Sequence, residues 1–156
     1  MLTAAQPRLD EFVSNVGTLF VQYQSGSFPA PLPLSINNRM PERVVDEQSP
    51  VKLIDPSNPL MSQPNKITTA DFEGWVEERG HSFLDSWDKA YTPLTETADE
   101  GQDPQRGGLV VAHSGKGTYI YVAYALYRQL PELVPGAYRL FANLLSAGSS
   151  DAAKPH

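Results

Sequence analysis

Three histidines, no cysteine and one glycine-flanked lysine are the residues through which chemistry would have to run in this chain. The Ser114-Gly115-Lys116-Gly117-Thr118 stretch has the outline of a phosphate loop. That loop needs a glycine five residues before its Gly-Lys pair and Ser or Thr directly after the lysine, on a strand-to-helix turn. Val110 and Gly117 occupy those two places, so the stretch reads as a hairpin turn instead. A zinc site wants ligands at short, reproducible spacing; His81, His113 and His156 form no such pair. Without cysteine there is no thiolate nucleophile, disulfide or cysteine zinc site. Ser25-Gly26-Ser27 and Ser114 lack the Gly-x-Ser-x-Gly elbow of a serine nucleophile. Asp85, Asp88 and Glu96 offer carboxylates for glycoside chemistry, which needs two acids facing each other across a cleft, but solvated loop acids are the commoner case. The residues therefore predict no catalytic group, no metal and no cofactor. An unrecognised hydrolase site around His113 is the one catalytic alternative kept.

The aromatic residues carry the other candidate chemistry. Flat apolar rings pack on pyranose faces much as rings pack on each other, and Phe72, Trp75, Phe83, Trp87 and Tyr91 lie within twenty residues. Phe72 and Trp75 fall on a helical stripe and are expected in the core. Trp87 and Tyr91 fall in a loop-like setting, where core packing and glycan binding both remain open. Those two are the candidate ligand-binding residues.

The elements that would position these groups follow from periodicity. Leu9, Phe12, Val13 and Val16 have helical spacing, with Gly17 at the C-cap position. Thr18–Tyr23 is a β-favouring run expected to be buried on both faces. Helix into buried strand is half of a βαβ unit, whose preceding strand is expected upstream of this sequence. The 14 prolines crowd between Pro29 and Pro64 and recur near Pro93 and Pro104, and Asn37-Asn38 suits a turn. Val51–Ile54 is a short strand. A helix is expected from Thr68 to Gly80, opened by Thr68 and Asp71 in a near capping box. Thr95–Arg106 reads as acidic loop. Gly108–His113 and Thr118–Tyr124 form a hairpin. Pro135 opens a last helix whose apolar face is Tyr138, Phe141, Leu144 and Leu145. The predicted fold class is α/β: an open, mostly parallel sheet flanked by helices, flavodoxin- or amidotransferase-like and incomplete at its N-terminal side, with a C-terminal hairpin and helix. One domain is expected over residues 1–148, with a disordered tail over 149–156.

Composition limits the partners. A formal charge of −6 and a pI near 4.9 disfavour nucleic acid, which needs clustered Lys and Arg, and an anionic membrane surface. No apolar run reaches membrane-spanning length. Arg8, Asp10 and Glu11 stand where a signal peptide would need its apolar core. The compartment stays open, and a periplasmic or secreted parent protein is compatible with the sequence.

Three segments carry a resemblance. Lys66–Gly80 (KITTADFEGWVEERG), Gly115–Tyr121 (GKGTYIY) and Val134–Leu145 (VPGAYRLFANLL) resemble the C-terminal domain of large bacterial PIG-L (LmbE-like) deacetylases, a domain that looks like the class I glutamine amidotransferase fold. Phe12–Val21 is similar to that fold's helix-to-strand step. The resemblance covers most of residues 5–148, and Pro64–Gly80 is its most specific part. PIG-L enzymes hold zinc through an Ala-His-Pro-Asp-Asp-like motif, and amidotransferases use a cysteine with a later His-x-Glu. Neither set maps here. The resemblance thus implies a fragment serving as a non-catalytic accessory domain of an N-acetyl-sugar deacetylase protein. Its implied partner is the upstream catalytic domain. The other expected partners are a second copy, through an unpaired sheet edge, and a glycan.

Overall fold

The computed structural model describes residues 2–25, 28–37, 39–40 and 42–148. The predicted tail, His156, Asn38 and the Gly26-Ser27 pair lie outside them. Helix α1 (Leu2–Asn15) turns at Gly17 into strand β1 (Thr18–Gln22). Prolines keep the next stretch to short strands, β2 (Leu34–Ser35), β3 (Glu42–Val44) and β4 (Val51–Leu53). A single helical turn, α2 (Pro59–Ser62), precedes a 3-10 turn at Thr69–Phe72. Then come β5 (Gly80–Phe83), β6 (Ser86–Trp87), β7 (Thr92–Pro93) and β8 (Thr95–Thr97). The chain ends with the hairpin β9 (Leu109–Ser114) and β10 (Gly117–Val122), the turn α3 (Leu126–Gln129), and helix α4 (Pro135–Leu145).

These strands do not make an open, mostly parallel sheet, and the expected fold class is corrected accordingly. The largest sheet has four strands in the order β1-β10-β9-β7, beside three two-stranded ladders, β2-β6, β3-β5 and β4-β8. Among the described residues only the β1-β10 pairing is parallel; the other pairings are antiparallel. Parallel neighbours need a crossover of a dozen or more residues, usually a helix. Between β1 and β9 the proline-rich chain makes only single helical turns, so its strands close short antiparallel ladders instead. The result is a set of several short, mainly antiparallel sheets with few helices.

The core gathers on β10, whose six residues are all buried. Three tyrosines in and beside it bury their rings and send their hydroxyls to internal acceptors. Tyr119 donates to Pro29 O at 2.9 Å, Tyr121 to Ser82 O at 2.6 Å and Tyr124 to Thr95 Oγ1 at 2.9 Å. A ring of this size contributes about 1.5–3 kcal/mol on burial, and the satisfied hydroxyl removes the penalty a lone polar tip would bring. α1 crosses the hairpin so closely that a Cβ on Gly117 would strike Val13 O. Only glycine allows that approach.

The expected helix over Thr68–Gly80 is also corrected. The capping contact forms, with Thr68 N–H donating to Asp71 Oδ2 at 2.8 Å, but only one 3-10 turn follows. Trp75 Nε1 takes Asp71 O at 3.0 Å, the carbonyl that its own backbone N–H would use in an α-helix. Gly74 and Glu77 then adopt left-handed φ values of 70° and 68°. In α4 the buried face is Gly136, Ala137, Leu140, Asn143 and Leu144; Tyr138 and Leu145, expected inside, are exposed. In α1, Val13 is buried while Phe12, and Val16 just beyond the helix, face outward. The β1 strand is half-buried along its whole length rather than covered on both faces.

Candidate functional site

The densest group of ionisable side chains surrounds Glu78, just before β5. Its carboxylate is buried. Oε1 accepts from Tyr23 Oη at 3.0 Å and from Arg128 Nε at 3.2 Å, and Oε2 faces Arg43 Nη2 at 3.5 Å. Arg128 also pairs with Glu77 and lies over the Tyr127 ring at 5.0 Å. Tyr23 sets its ring 5.6 Å from His81 and edge-on to Tyr127 at 4.8 Å. His81 Nδ1 is 2.7 Å from Ser82 Oγ.

Three non-glycine residues of this neighbourhood, Tyr23, Glu77 and Ser82, hold positive φ of 47°, 68° and 64°. Such conformations cost roughly 1–3 kcal/mol each and cluster at functional sites. Burial, then the Arg43 charge, lowers the His81 pKa against the opposing pull of Glu78. The imidazole is therefore neutral near pH 7. Burial, followed by Tyr127 and Glu78, raises the Tyr23 phenol, which stays a hydrogen-bond donor.

A neutral imidazole beside a hydroxyl on a left-handed backbone is the pairing that activates a nucleophile. Access decides against it here. Ser82 has no exposed surface, and no substrate atom can approach its Oγ. The cluster is a hub that ties the residue after β1 and the segment entering β5 to β3 and α3.

The residues singled out from the sequence lie elsewhere and apart. His113 is exposed at the end of β9, its Nδ1 3.4 Å from Thr118 Oγ1. Lys116 occupies the two-residue hairpin turn with Gly115, whose φ is 61°. The three loop acids do not converge. Asp85 accepts from Ser35 Oγ at 2.5 Å, Asp88 from Ala90 N at 2.9 Å, and Glu96 binds Arg106 at 2.6 Å and Lys52 at 3.5 Å. Among the described residues, no group of three or more His, Asp or Glu is placed to hold a metal ion.

Trp87 and Tyr91 part company. Tyr91 is 3% exposed and joins the core, its hydroxyl donating to Leu32 O at 3.1 Å and its ring edge-on to Tyr119 at 5.9 Å. Burial pushes its phenol up to about 12. Trp87 is half-buried at the rim of an open cleft of about 440 Å³ that Glu42, Leu84, Asp85, Pro104, Gln105 and Arg106 also line. Sequence reasoning missed the Glu78 hub. Its one local signal is the charged run Glu77-Glu78-Arg79 enclosed between apolar Trp75 and Phe83.

No protein-family model matches the chain, and no curated protein matches it. Among solved structures it is similar to the cold-adapted β-galactosidase from Rahnella sp. R3, with a TM-score of 0.54 and 18% identity over 90% of this chain and 20% of that one. At that identity the likeness is one of fold. The chain spans about a fifth of the β-galactosidase's length.

Proposed function

We propose that this chain is a non-catalytic accessory module of a larger PIG-L (LmbE-like) N-acetyl-sugar deacetylase protein. One observation carries the reading: in Pro64–Gly80, where the resemblance is most specific, the buried or capping polar groups fasten the chain to itself. Asp71 caps Thr68 and binds Arg139 at 2.7 Å. Glu78 holds Tyr23, Arg43 and Arg128. Arg79, buried, donates to Ser49 O at 2.8 Å and to Phe72 O. Arg79 borders an open hollow with Glu73 and Trp75, but its guanidinium is committed to main-chain carbonyls; these groups hold a scaffold. The likeness to one fifth of a β-galactosidase supports a module within larger sugar-directed proteins. The test has two arms. The purified chain with added zinc is expected to leave N-acetylglucosamine substrates intact and to co-elute with a PIG-L-type catalytic domain. Turnover abolished by one substitution in this chain would sink the proposal.

The Trp87 cleft favours a second reading, glycan binding. A half-exposed indole bordered by Asp85, Gln105 and Arg106 offers a sugar ring an apolar face and planar hydrogen-bonding groups. Trp75, the other tryptophan, is buried, so ligand-dependent changes in indole emission should come from Trp87. Titration with a glycan panel is expected to shift that emission in the native chain and not in Trp87→Phe. A flat response across the panel removes this reading.

A further inference from the structure

The open side of β1 is complementary to itself. Among the described residues β1 lies at one end of its sheet, paired only with β10. In a parallel ladder alternate residues turn both main-chain groups toward the same neighbour. Gly17 O accepts from Thr118 N at 3.0 Å and Tyr23 N donates to Val122 O at 2.9 Å, which assigns the odd residues 17–23 to β10. Thr18, Phe20 and Gln22 therefore turn their N–H and C=O groups to the open side. The only contact among the described residues that reaches one of these groups is local: Gln24 Nε2 donates to Gln22 O at 2.9 Å.

From this geometry we propose that two copies of the chain pair antiparallel through β1, on a two-fold axis at Phe20. Antiparallel partners exchange both bonds between residues directly opposite. With Phe20 opposite Phe20 of the second copy, Thr18 faces Gln22 and Gln22 faces Thr18, so every outward group finds a partner. Exposed edges are ordinarily guarded by a charge, a proline or a bulge. The Thr-Leu-Phe-Val-Gln strand has none of these. The strand itself therefore sets no like charges opposite each other when two copies meet here. Apolar surface flanks the strand: Phe12 of α1, Val16 just after it and Leu145 of α4 are 54%, 74% and 61% exposed, and the three share a hollow with Thr18. A second copy would cover this surface as it pairs the edge. The inference stands on strand geometry and is independent of the accessory-module reading.

Sedimentation velocity over a concentration series is expected to show a monomer–dimer equilibrium. Gln22→Pro removes an N–H that no internal bond uses, so it should shift the chain to monomer with its melting temperature kept. Val21→Pro, which removes a ladder donor to β10, should instead unfold it. Because the native chain has no cysteine, register can be read directly. Oxidised Thr18→Cys/Gln22→Cys should cross-link to a covalent dimer, its opposed Cα atoms about 5.5 Å apart, whereas Thr18→Cys alone should not. A monomer at every concentration overturns the proposal, as does a dimer that Gln22→Pro leaves intact. Should Gln22→Pro melt early, the double-cysteine variant decides alone: failure to cross-link overturns it.

Discussion

Gln129 serves Val76 as a neighbouring strand would. Its Oε1 accepts from Val76 N at 2.8 Å and its Nε2 donates to Val76 O at 3.0 Å. One side-chain amide thus completes both main-chain groups of a residue 53 positions earlier. Gln129 itself is fully buried, so water cannot replace it without opening the α3 turn. The contact pins the turning stretch after Phe72, with its left-handed Gly74 and Glu77, and delivers Glu78 and Arg79 to the interior.

Gln129→Leu keeps the volume and removes both bonds. Val76 N–H then loses its partner in a half-buried place, at about 1–3 kcal/mol for a fully buried group, while Val76 O keeps Glu78 N–H at 2.9 Å. A net loss of about 1 kcal/mol is expected, read as a lower urea midpoint with unchanged slope. Gln129→Glu should cost more, because it loses the donor and buries a charge. A midpoint within error of the native chain for Gln129→Leu would show the amide to be dispensable.

What the sequence reveals and what it hides divide along the range of the interactions. The hairpin and the start of α4 are legible because their causes are local: β-branched and aromatic arms around Gly115-Lys116, and Pro135 at a helix's first turn. The Thr68–Gly80 segment misleads because Phe72, Trp75 and Val76 fit a helical stripe, while its real conformation is imposed by Gln129 from far along the chain. The Glu78 hub is hidden for the same reason. Its three partners lie 55, 35 and 50 positions away, and nothing near Glu78 announces Tyr23, Arg43 or Arg128. Tyr91 looks like a loop ring until Leu32 and Tyr119 are seen to enclose it. Helix α1 followed by β1 suggests a parallel sheet, but the proline-rich chain beyond supplies no crossover helices to continue it.

Asp71 has two separable duties. One oxygen accepts from Thr68 N–H at 2.8 Å and the other from Arg139 Nε at 2.7 Å. The ion pair is partly solvated, with Arg139 44% exposed, so its share is at most about 1 kcal/mol. The cap is worth roughly another 1 kcal/mol. Asp71→Asn, which keeps an acceptor for Thr68, should therefore lose less than half of what Asp71→Ala loses in thermal or urea melts. Equal losses would assign the whole effect to the ion pair.

Removing the Glu78 carboxylate should hurt less than breaking a fully buried pair, which costs about 3–5 kcal/mol. Its arginine partners are 53% and 33% exposed and can turn to water; Tyr23 Oη is held in place and loses an acceptor. Glu78→Leu is expected to cost about 2–3 kcal/mol. In a double-mutant cycle, Tyr23→Phe and Glu78→Leu should show a coupling of about 1 kcal/mol. Additive losses would mean that the phenol contributes nothing through this carboxylate.

Acid should weaken the fold in two separate steps. His81 titrates below its ordinary value of 6.5 because burial, then Arg43, disfavours the imidazolium. Between that lowered pKa and 6.5 the unfolded chain binds a proton that the folded chain refuses. Stability therefore falls as pH drops below about 6.5 and levels off once the folded histidine is also charged. The second step belongs to carboxylates. Burial alone would raise Asp99, but donation from Val45 N, Ser49 Oγ and Asp46 N together outweighs it and leaves the pKa below 3.8. Glu96, bonded first to Arg106, is likewise lowered from 4.5. Folded carboxylates with depressed pKa lose their contribution only as pH falls below those ordinary values. Urea midpoints followed from pH 8 to pH 3 should thus decline once below about 6.5 and again below about 4.5. His81→Gln should erase the upper step and leave the lower one. If the upper step survives in His81→Gln, another group titrates there and the depressed imidazole is not its source.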